Sequence, residues 1–345
     1  MGESSKKKGN PIIGISIGDI NGIGPEVIIK ALEDARITRH FTPVIYASGK
    51  VISYYRKNFE KDHFNYQQIP DIDKVAHKKI NVLNVWNETV EINPGQANET
   101  GGKYAVLSLQ AAVKDLKEEH IHALVTAPLS KELVQSDEFN FPGHTEYLTQ
   151  EAGEKDSLMF LIRDDLRVGV VTGHIALKDV SNKITREKVE SKINKMLKSL
   201  QKDFGLKKPK VAVLGLNPHA GENGLLGHEE ENILKPVIGQ FRNNHHLVMG
   251  PFPSDGFFGQ GTFRQYDGIL AMYHDQGLIP FKTMAFDEGV NYTAGLPFVR
   301  TSPDHGTAFD IAGKGVADPT SFRNALYLAN DIVRQRKENE FEPAE

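Results

Sequence analysis

Short apolar runs alternate with longer charged segments of helical period along almost the whole chain. No other feature constrains the fold as strongly. "PIIGISIG" reads as a buried strand, and "GPEVIIKALEDA" as the helix that follows, with Pro25 at its first position and Glu26 in its first turn. Further on, "KYAVLSLQAAVKDLKEEH" and "REKVESKINKMLKSLQKDF" read as amphipathic helices, and "HALVTAP" and "PKVAVLGLNP" as strands. "HEEENILKPVI" reads as a helix with acids in its first turn. Such alternation defines an α/β fold with a mostly parallel sheet. At 345 residues the chain can build two lobes, each with its own core. No repeat or low-complexity linker separates them, so the boundary is a chain crossing between lobes.

Several function classes are excluded early. The net charge is −4 with both signs interspersed, which leaves no basic footprint for nucleic acid. No run approaches the roughly 20 apolar residues of a membrane span. The polar start "MGESSKKKGN" has no apolar stretch, so it reads as a tail and not a signal peptide. Cysteine is absent, which fits a reducing, cytoplasmic location and excludes thiolate ligands. Any metal must therefore sit on His, Asp or Glu.

Three of the apolar runs end in histidine: "LRVGVVTGH" at His174, "VAVLGLNPH" at His219 and "DGILAMYH" at His274. In open α/β sheets ligands bind outside the carboxyl ends of the strands. Three imidazoles delivered there could converge on one Zn²⁺, Mn²⁺, Co²⁺ or Ni²⁺ with a coordination position left for substrate. The plainer alternative is three hydrogen-bonded histidines at loop mouths. Asp275 and Asp255 could orient the imidazoles, although "PSDG" around Asp255 also specifies a turn.

A second group points to an anion. In "FPGHTEYLT", His144 and Thr145 follow a Pro-Gly turn and precede a helix start, where a hydroxyl and free N–H groups could hold a negative group. Thr145 is equally a good N-cap, and locally that suffices. Lys282, Asn291 and Arg300 fall in Gly/Pro-rich stretches expected to be turns, "HDQGLIPFK" and "GVNYTAGLPFVRTSPDHG". Arg supplies a fork and Lys a point charge for phosphate, so a phosphorylated small molecule beside a metal is suggested. "GDINGIGPE" lacks the third glycine of the dinucleotide fingerprint, and "ENGLLGH" lacks the Gly-Lys-Ser/Thr of a P-loop. Glycine patterns alone give no nucleotide site.

Assembled, these segments resemble the 4-hydroxythreonine-4-phosphate dehydrogenase family of pyridoxal phosphate biosynthesis. The resemblance is carried by "GIGPE", "FPGHTEYLT", "VTGHIALKDV", "GLNPHAGENGLLGHEE", "GPFPSDGFF", "AMYHDQGLIPFK" and "GVNYTAGLPFVRTSPDHGTAFDIAGKG". "GDINGIGPEV" and "DHGTAFDIAGKGVADP" also resemble the wider isopropylmalate and isocitrate dehydrogenase superfamily, whose His-Gly segment lies against the cofactor adenine. The resemblance implies two α/β/α lobes of isopropylmalate dehydrogenase type with the active site in the cleft between them. Residues 1–130 with 285–345 would form the cofactor lobe, and 131–284 the metal, substrate and dimerisation lobe. It implies NAD or NADP near His305 and Gly306. It also implies one divalent ion (Zn, Mg, Mn or Co) on His174, His219 and His274, one of them from a homodimer partner.

Substrate contacts are implied at His144, Thr145, Lys282, Asn291 and Arg300, with Lys282, Asp275 and Asp255 assisting the chemistry. That chemistry would oxidise 4-phosphohydroxythreonine at C3 and then lose CO₂. One departure stands in the first loop, where Ile20 and Asn21 replace the Pro-Ala common in relatives. Related enzymes act on threonate or erythronate 4-phosphate, which is the nearest alternative. A metal-dependent phosphohydrolase and a non-catalytic sensor are the alternatives from other classes. The first lacks an evident carboxylate cluster and the second an output module.

Overall fold

The computed structural model describes residues 9–134, 141 and 143–339. The polar start and Pro142 of the expected Pro-Gly turn lie outside the described residues, apart from Gly9 and Asn10. In chain order the strands are β1 (Ile12–Ser16), β2 (Thr42–Ala47), β3 (Gln67–Ile69), β4 (Asn81–Asn84), β5 (Ala123–Thr126), β6 (Leu158–Arg163), β7 (Leu166–Val170), β8 (Lys210–Leu214), β9 (Leu247–Phe252), β10 (Gly268–Ala271), β11 (Val290–Ala294) and β12 (Val299–Pro303). The helices are α1 (Gly24–Leu32), α2 (Gly49–Asn58), α3 (Glu99–Lys117), α4 (His144–Glu151), α5 (Val180–Lys183), α6 (Arg186–Lys202), α7 (Lys235–Asn243), α8 (Ser254–Gly259), α9 (His274–Ala285) and α10 (Thr320–Asn339).

The chain divides into two units, Met1–Leu148 with Phe298–Arg334, and Thr149–Pro297 with Gln335–Glu345. In the first unit the strand order is β3-β4-β2-β1-β5-β12, with every pair parallel. Strands covered on both faces must be apolar throughout, which is why β2 and β5 are buried at every position and read as unbroken runs. Helix α1 starts with Pro25 in its first turn, and α3 is capped by Asn98, whose side chain accepts from Gly101 N.

In the second unit the order is β11-β6-β7-β10-β8-β9. Strand β6 runs antiparallel to both neighbours, and the pairs from β7 to β9 are parallel. Its core joins Val168, Val170, Ala212, Leu214, Ile269 and Ala271 of the strands to Phe257 of α8 and Leu278 and Phe281 of α9. Each Val, Leu, Ile or Phe among them stabilises by about 1.5–3 kcal/mol on burial. The fold is thus α/β with a mostly parallel sheet, as expected. Among the described residues no helix is long and apolar enough to cross a membrane.

One local expectation is corrected here. "HDQGLIPFK" is not a Gly turn followed by a Pro: it is helix α9, with Pro280 inside it. Gly277 serves close packing, because a Cβ there would sit 3.0 Å from Val168 Cγ1 and 3.1 Å from Ala271 Cβ. Lacking one, it lets α9 lie directly on the sheet.

Candidate active site

The three histidines follow the ends of three adjacent parallel strands, in the spatial order β7-β10-β8. His174 and His219 lie in the loops after β7 and β8, and His274 opens α9 just beyond β10. The ends of β10 and β8 are tied together by Gln276, a buried side chain with no local signal in the sequence. Its Oε1 accepts from Met272 N at 2.6 Å, and its Nε2 donates to Gly215 O at 2.6 Å and Ser254 Oγ at 3.1 Å. The His174 and His274 ring centroids are 5.5 Å apart. Two imidazoles sharing one tetrahedral ion at about 2.1 Å would have centroids about 5 Å apart, close to this spacing. His174, His219 and His274 together do not bring their ligand atoms within 4.8 Å of one another.

His274 Nδ1 lies 2.7 Å from Asp275 Oδ1. A carboxylate can only accept, so Nδ1 carries the proton and Nε2 is left as a ligand. Asp255 differs. It is exposed, in the first turn of α8 rather than a turn of its own, and makes no hydrogen bond or ion pair among the described residues. The described His, Asp and Glu side chains whose ligand atoms all lie within 4.8 Å of one another are Asp115, Glu118 and His120, at the end of α3 in the first unit.

His219 stands on unusual backbone. From His219 to Asn223 every residue is left-handed, with φ of 52°, 50°, 80°, 43° and 56°. A left-handed non-glycine residue costs about 1–2 kcal/mol, so a run of this kind persists only if its surroundings impose it. The segment read as a helix with acids in its first turn begins two residues further on as a π turn, Glu230–Leu234, with Glu230 and Glu231 in its first turn, and continues as α7. Glu230 is fully buried.

Of the anion group, His144, Thr145 and Arg300 lie in the first unit, and Lys282 and Asn291 in the second. Helix α4 begins at His144, so Thr145 sits within its first turn and is not its N-cap. His144 is half-buried as a residue, yet its Nε2 is shut off from solvent and has no hydrogen-bond partner among the described residues. Burial holds its pKa well below the usual histidine value, and the Arg300 and Lys131 charges push the same way. Arg300 is not in a turn but in β12, 2% exposed. Its Nε and Nη2 both donate to Thr126 Oγ1 on β5, at 3.2 and 2.7 Å. Burial lowers its pKa to about 10, although the Glu146 carboxylate pulls upward. A cation and an imidazole that both resist positive charge favour a bound anion between them. Thr126 and Lys131 carried no sequence signal, since a strand threonine and a loop lysine are commonplace.

Lys282 and Asn291 also leave the expected turns. Asn291 is on β11, with Oδ1 buried and unpartnered among the described residues. Lys282 is on α9, eight residues after His274 and half-buried. Positions i, i+4 and i+8 fall along one side of a helix, so Lys282 is about two turns along α9 from His274.

The loop from β1 to α1 packs on the segment after β12, both in the first unit. Ile23 N donates to Thr307 O at 2.9 Å, and a Cβ on Gly22 would sit 2.9 Å from that same oxygen. The two stretches that share the wider superfamily resemblance are therefore neighbours. His305 is half-buried, and its Nδ1 lies 3.2 Å from Gly306 O; a side chain at Gly306 would meet open space. Asn21, the departure noted above, locks the loop: Nδ2 donates to Asn98 Oδ1 at 2.9 Å, and Oδ1 accepts from Asn93 N at 2.8 Å. Asp19 beside it is buried, and desolvation raises its pKa from 3.8 to about 6 against hydrogen bonds from Asn21 and Gly22.

Comparison with known proteins adds to this geometry. The family described as "Pyridoxal phosphate biosynthetic protein PdxA" matches residues 39–329. A 4-hydroxythreonine-4-phosphate dehydrogenase of Bacteroides thetaiotaomicron is 45% identical over 326 residues, covering 94% of this chain and 89% of that protein. A D-threonate 4-phosphate dehydrogenase of Pectobacterium atrosepticum is 39% identical, covering 93% and 99%. The crystal structure of 4-hydroxythreonine-4-phosphate dehydrogenase from Klebsiella pneumoniae superposes with a TM-score of 0.80 at 34% identity, covering 96% of this chain and 99% of that one. The chain is an oxidoreductase of the dehydrogenase class. Within that class it belongs to the PdxA family.

Proposed function

We propose that this protein oxidises 4-phosphohydroxy-L-threonine at C3, using NAD or NADP and a divalent metal. The product, 2-amino-3-oxo-4-phosphooxybutanoate, loses CO₂ to give 3-amino-2-oxopropyl phosphate, a step in making pyridoxal 5'-phosphate. The observation that carries this reading is the buried Arg300 guanidinium, whose charge, with that of Lys131, bears on the His144 imidazole. A substrate with a phosphate and a carboxylate brings negative charge to such a group.

His174, His219 and His274 would hold the ion, with Asp275 fixing the His274 tautomer. When bound, the metal makes the C3 hydroxyl more acidic and the nicotinamide accepts the hydride. The chain's own work is placement. Arg300, His144 and Thr145 seat the anionic groups, with Asn291 as a further contact. Lys282 offers a positive charge to oxygen as negative charge develops on it. The loop around Ile23 and Thr307, with His305 and Gly306 beyond, supports the cofactor reading. A homodimer with a shared site is supported by exposed apolar side chains on the histidine-bearing segments. Ile175 and Leu177 follow His174, Leu225 and Leu226 follow His219, and Ile279 and Phe286 lie on or just past α9.

A second reading is favoured by the relative named for D-threonate 4-phosphate, which offers the same phosphate and carboxylate with a hydroxyl at C2. NADH formation compared across 4-phosphohydroxythreonine, threonate 4-phosphate and erythronate 4-phosphate decides between them. A kcat/KM highest for either sugar acid would replace the first reading. Neither NADH nor NADPH with any of the three would end both.

A further inference from the structure

The left-handed turn at residues 219–223 sits against one carboxylate, that of Glu230. Its Oε1 accepts from both Leu216 N and Asn217 N at 2.7 Å, and its Oε2 accepts from Asn217 Nδ2 at 2.9 Å. These are the residues that lead into the turn. Inside the turn, Gly221 has φ +80°, and a Cβ there would stand 2.7 Å from Glu230 Oε2. The backbone therefore lies on the carboxylate itself. Leu226 N donates to Gly221 O at 3.1 Å and closes the far side. Glu230 is 0% exposed and heads the π turn that runs into α7, so its base is rigid.

We propose that Glu230 is a positioning residue for metal binding: it pins the left-handed turn and so presents the His219 imidazole to a divalent cation. It is not itself a ligand, because both its oxygens accept from Leu216 and Asn217 at the entry to the turn. A free loop would have to be forced into five left-handed residues each time the ion bound. A pinned one meets the ion already shaped, and misplacement of an imaged ligand by even part of an ångström weakens coordination. The proposal rests on His219 being a ligand, and the test keeps the two apart.

Full-length Glu230→Ala, Glu230→Gln, Gly221→Ala and His219→Ala proteins would be titrated with Co²⁺, following the visible absorption of the bound ion. Amide hydrogen exchange over residues 216–226 would be measured on the same samples. Loss of Glu230 should weaken Co²⁺ binding by about 10–100-fold and speed exchange in that segment. Glu230→Gln keeps one acceptor oxygen and should fall between. Gly221→Ala drives a methyl against the same carboxylate and should resemble Glu230→Ala, which carries the test if the latter fails to fold. His219→Ala should weaken Co²⁺ without faster exchange. Wild-type Co²⁺ affinity in His219→Ala would remove the ligand and with it the proposal. Weakened binding in His219→Ala, with wild-type affinity in folded Glu230 and Gly221 variants, would overturn the positioning role alone.

Discussion

Thr126 Oγ1 accepts two hydrogen bonds from one guanidinium, that of Arg300, with Nε at 3.2 Å and Nη2 at 2.7 Å. The two residues face each other across parallel strands β5 and β12, where Arg300 pairs with Leu124 and Thr301 with Val125. A buried fork held by a neutral hydroxyl keeps its direction.

Replacing Arg300 by Ala should raise KM for the phosphorylated substrate by about 10–100-fold, as lost charged hydrogen bonds cost about 1.5–3 kcal/mol. KM for NAD should move little. Thr126→Val keeps the shape and removes the acceptor, so it should shift the same constant in the same direction by less, with Thr126→Ser restoring it. Equal shifts for substrate and NAD in initial-rate measurements would contradict the anion assignment.

Asp19 predicts a pH dependence of stability. Its folded pKa, about 6, lies above its ordinary 3.8, so the folded state binds the proton more tightly than the unfolded state. The cost of ionising it is absent below about pH 4, grows as pH rises, and is complete above about pH 6. The shift corresponds to roughly 3 kcal/mol. Asp19→Asn can still accept from Asn21 N, so it should stabilise the protein at pH 7 by up to that amount and very little at pH 4. Urea unfolding of both proteins across this range checks the sign. A difference that is flat with pH would refute the assignment.

Where a residue's role followed from local pattern, the sequence was readable. Buried parallel strands are largely apolar, so β7, β8 and β10 stood out, and their ends place His174, His219 and His274 beyond adjacent strands. Where the role depends on distant partners, it was not. Arg300 looked like a turn residue because Gly295 and Pro297 precede it and Pro303 follows, yet β5 beside it recruits it into the sheet. Pro280 and Gly277 read as breakers, but a helix pressed on strands needs a residue without a Cβ. The backbone leading into the left-handed turn at His219 is held by Glu230, thirteen and fourteen residues beyond its donors Asn217 and Leu216, and no local propensity encodes that.

The Asp275–His274 contact leads to a metal prediction. A chelator should abolish activity, and Zn²⁺, Mg²⁺, Mn²⁺ or Co²⁺ should restore it. Asp275→Asn can present an amide N–H toward Nδ1 and so disturb the tautomer. Metal affinity should fall by about 10–100-fold. His274→Ala should lose more, since it removes the ligand itself. Metal content after dialysis, read beside activity, checks both. Full turnover in a rigorously metal-free preparation would end the metal reading.

The apolar side chains on the histidine segments lead to the last prediction. Leu177 is 73% exposed and Leu225 is 77% exposed, each a few residues past an expected ligand. On a monomer such positions tolerate a charge, and replacing them by Asp should change folding stability by only about 0.5 kcal/mol. In a homodimer that covers these segments, two buried carboxylates per subunit would be very unfavourable, because burying an unpaired charge costs several kcal/mol. The Leu177→Asp, Leu225→Asp double variant should therefore keep its circular dichroism spectrum, run at half the wild-type mass by light scattering, and lose most of its activity. A variant of wild-type mass and rate would rule out this surface as the dimer contact. A folded monomer with full activity would instead place every required residue on one chain and defeat the shared site.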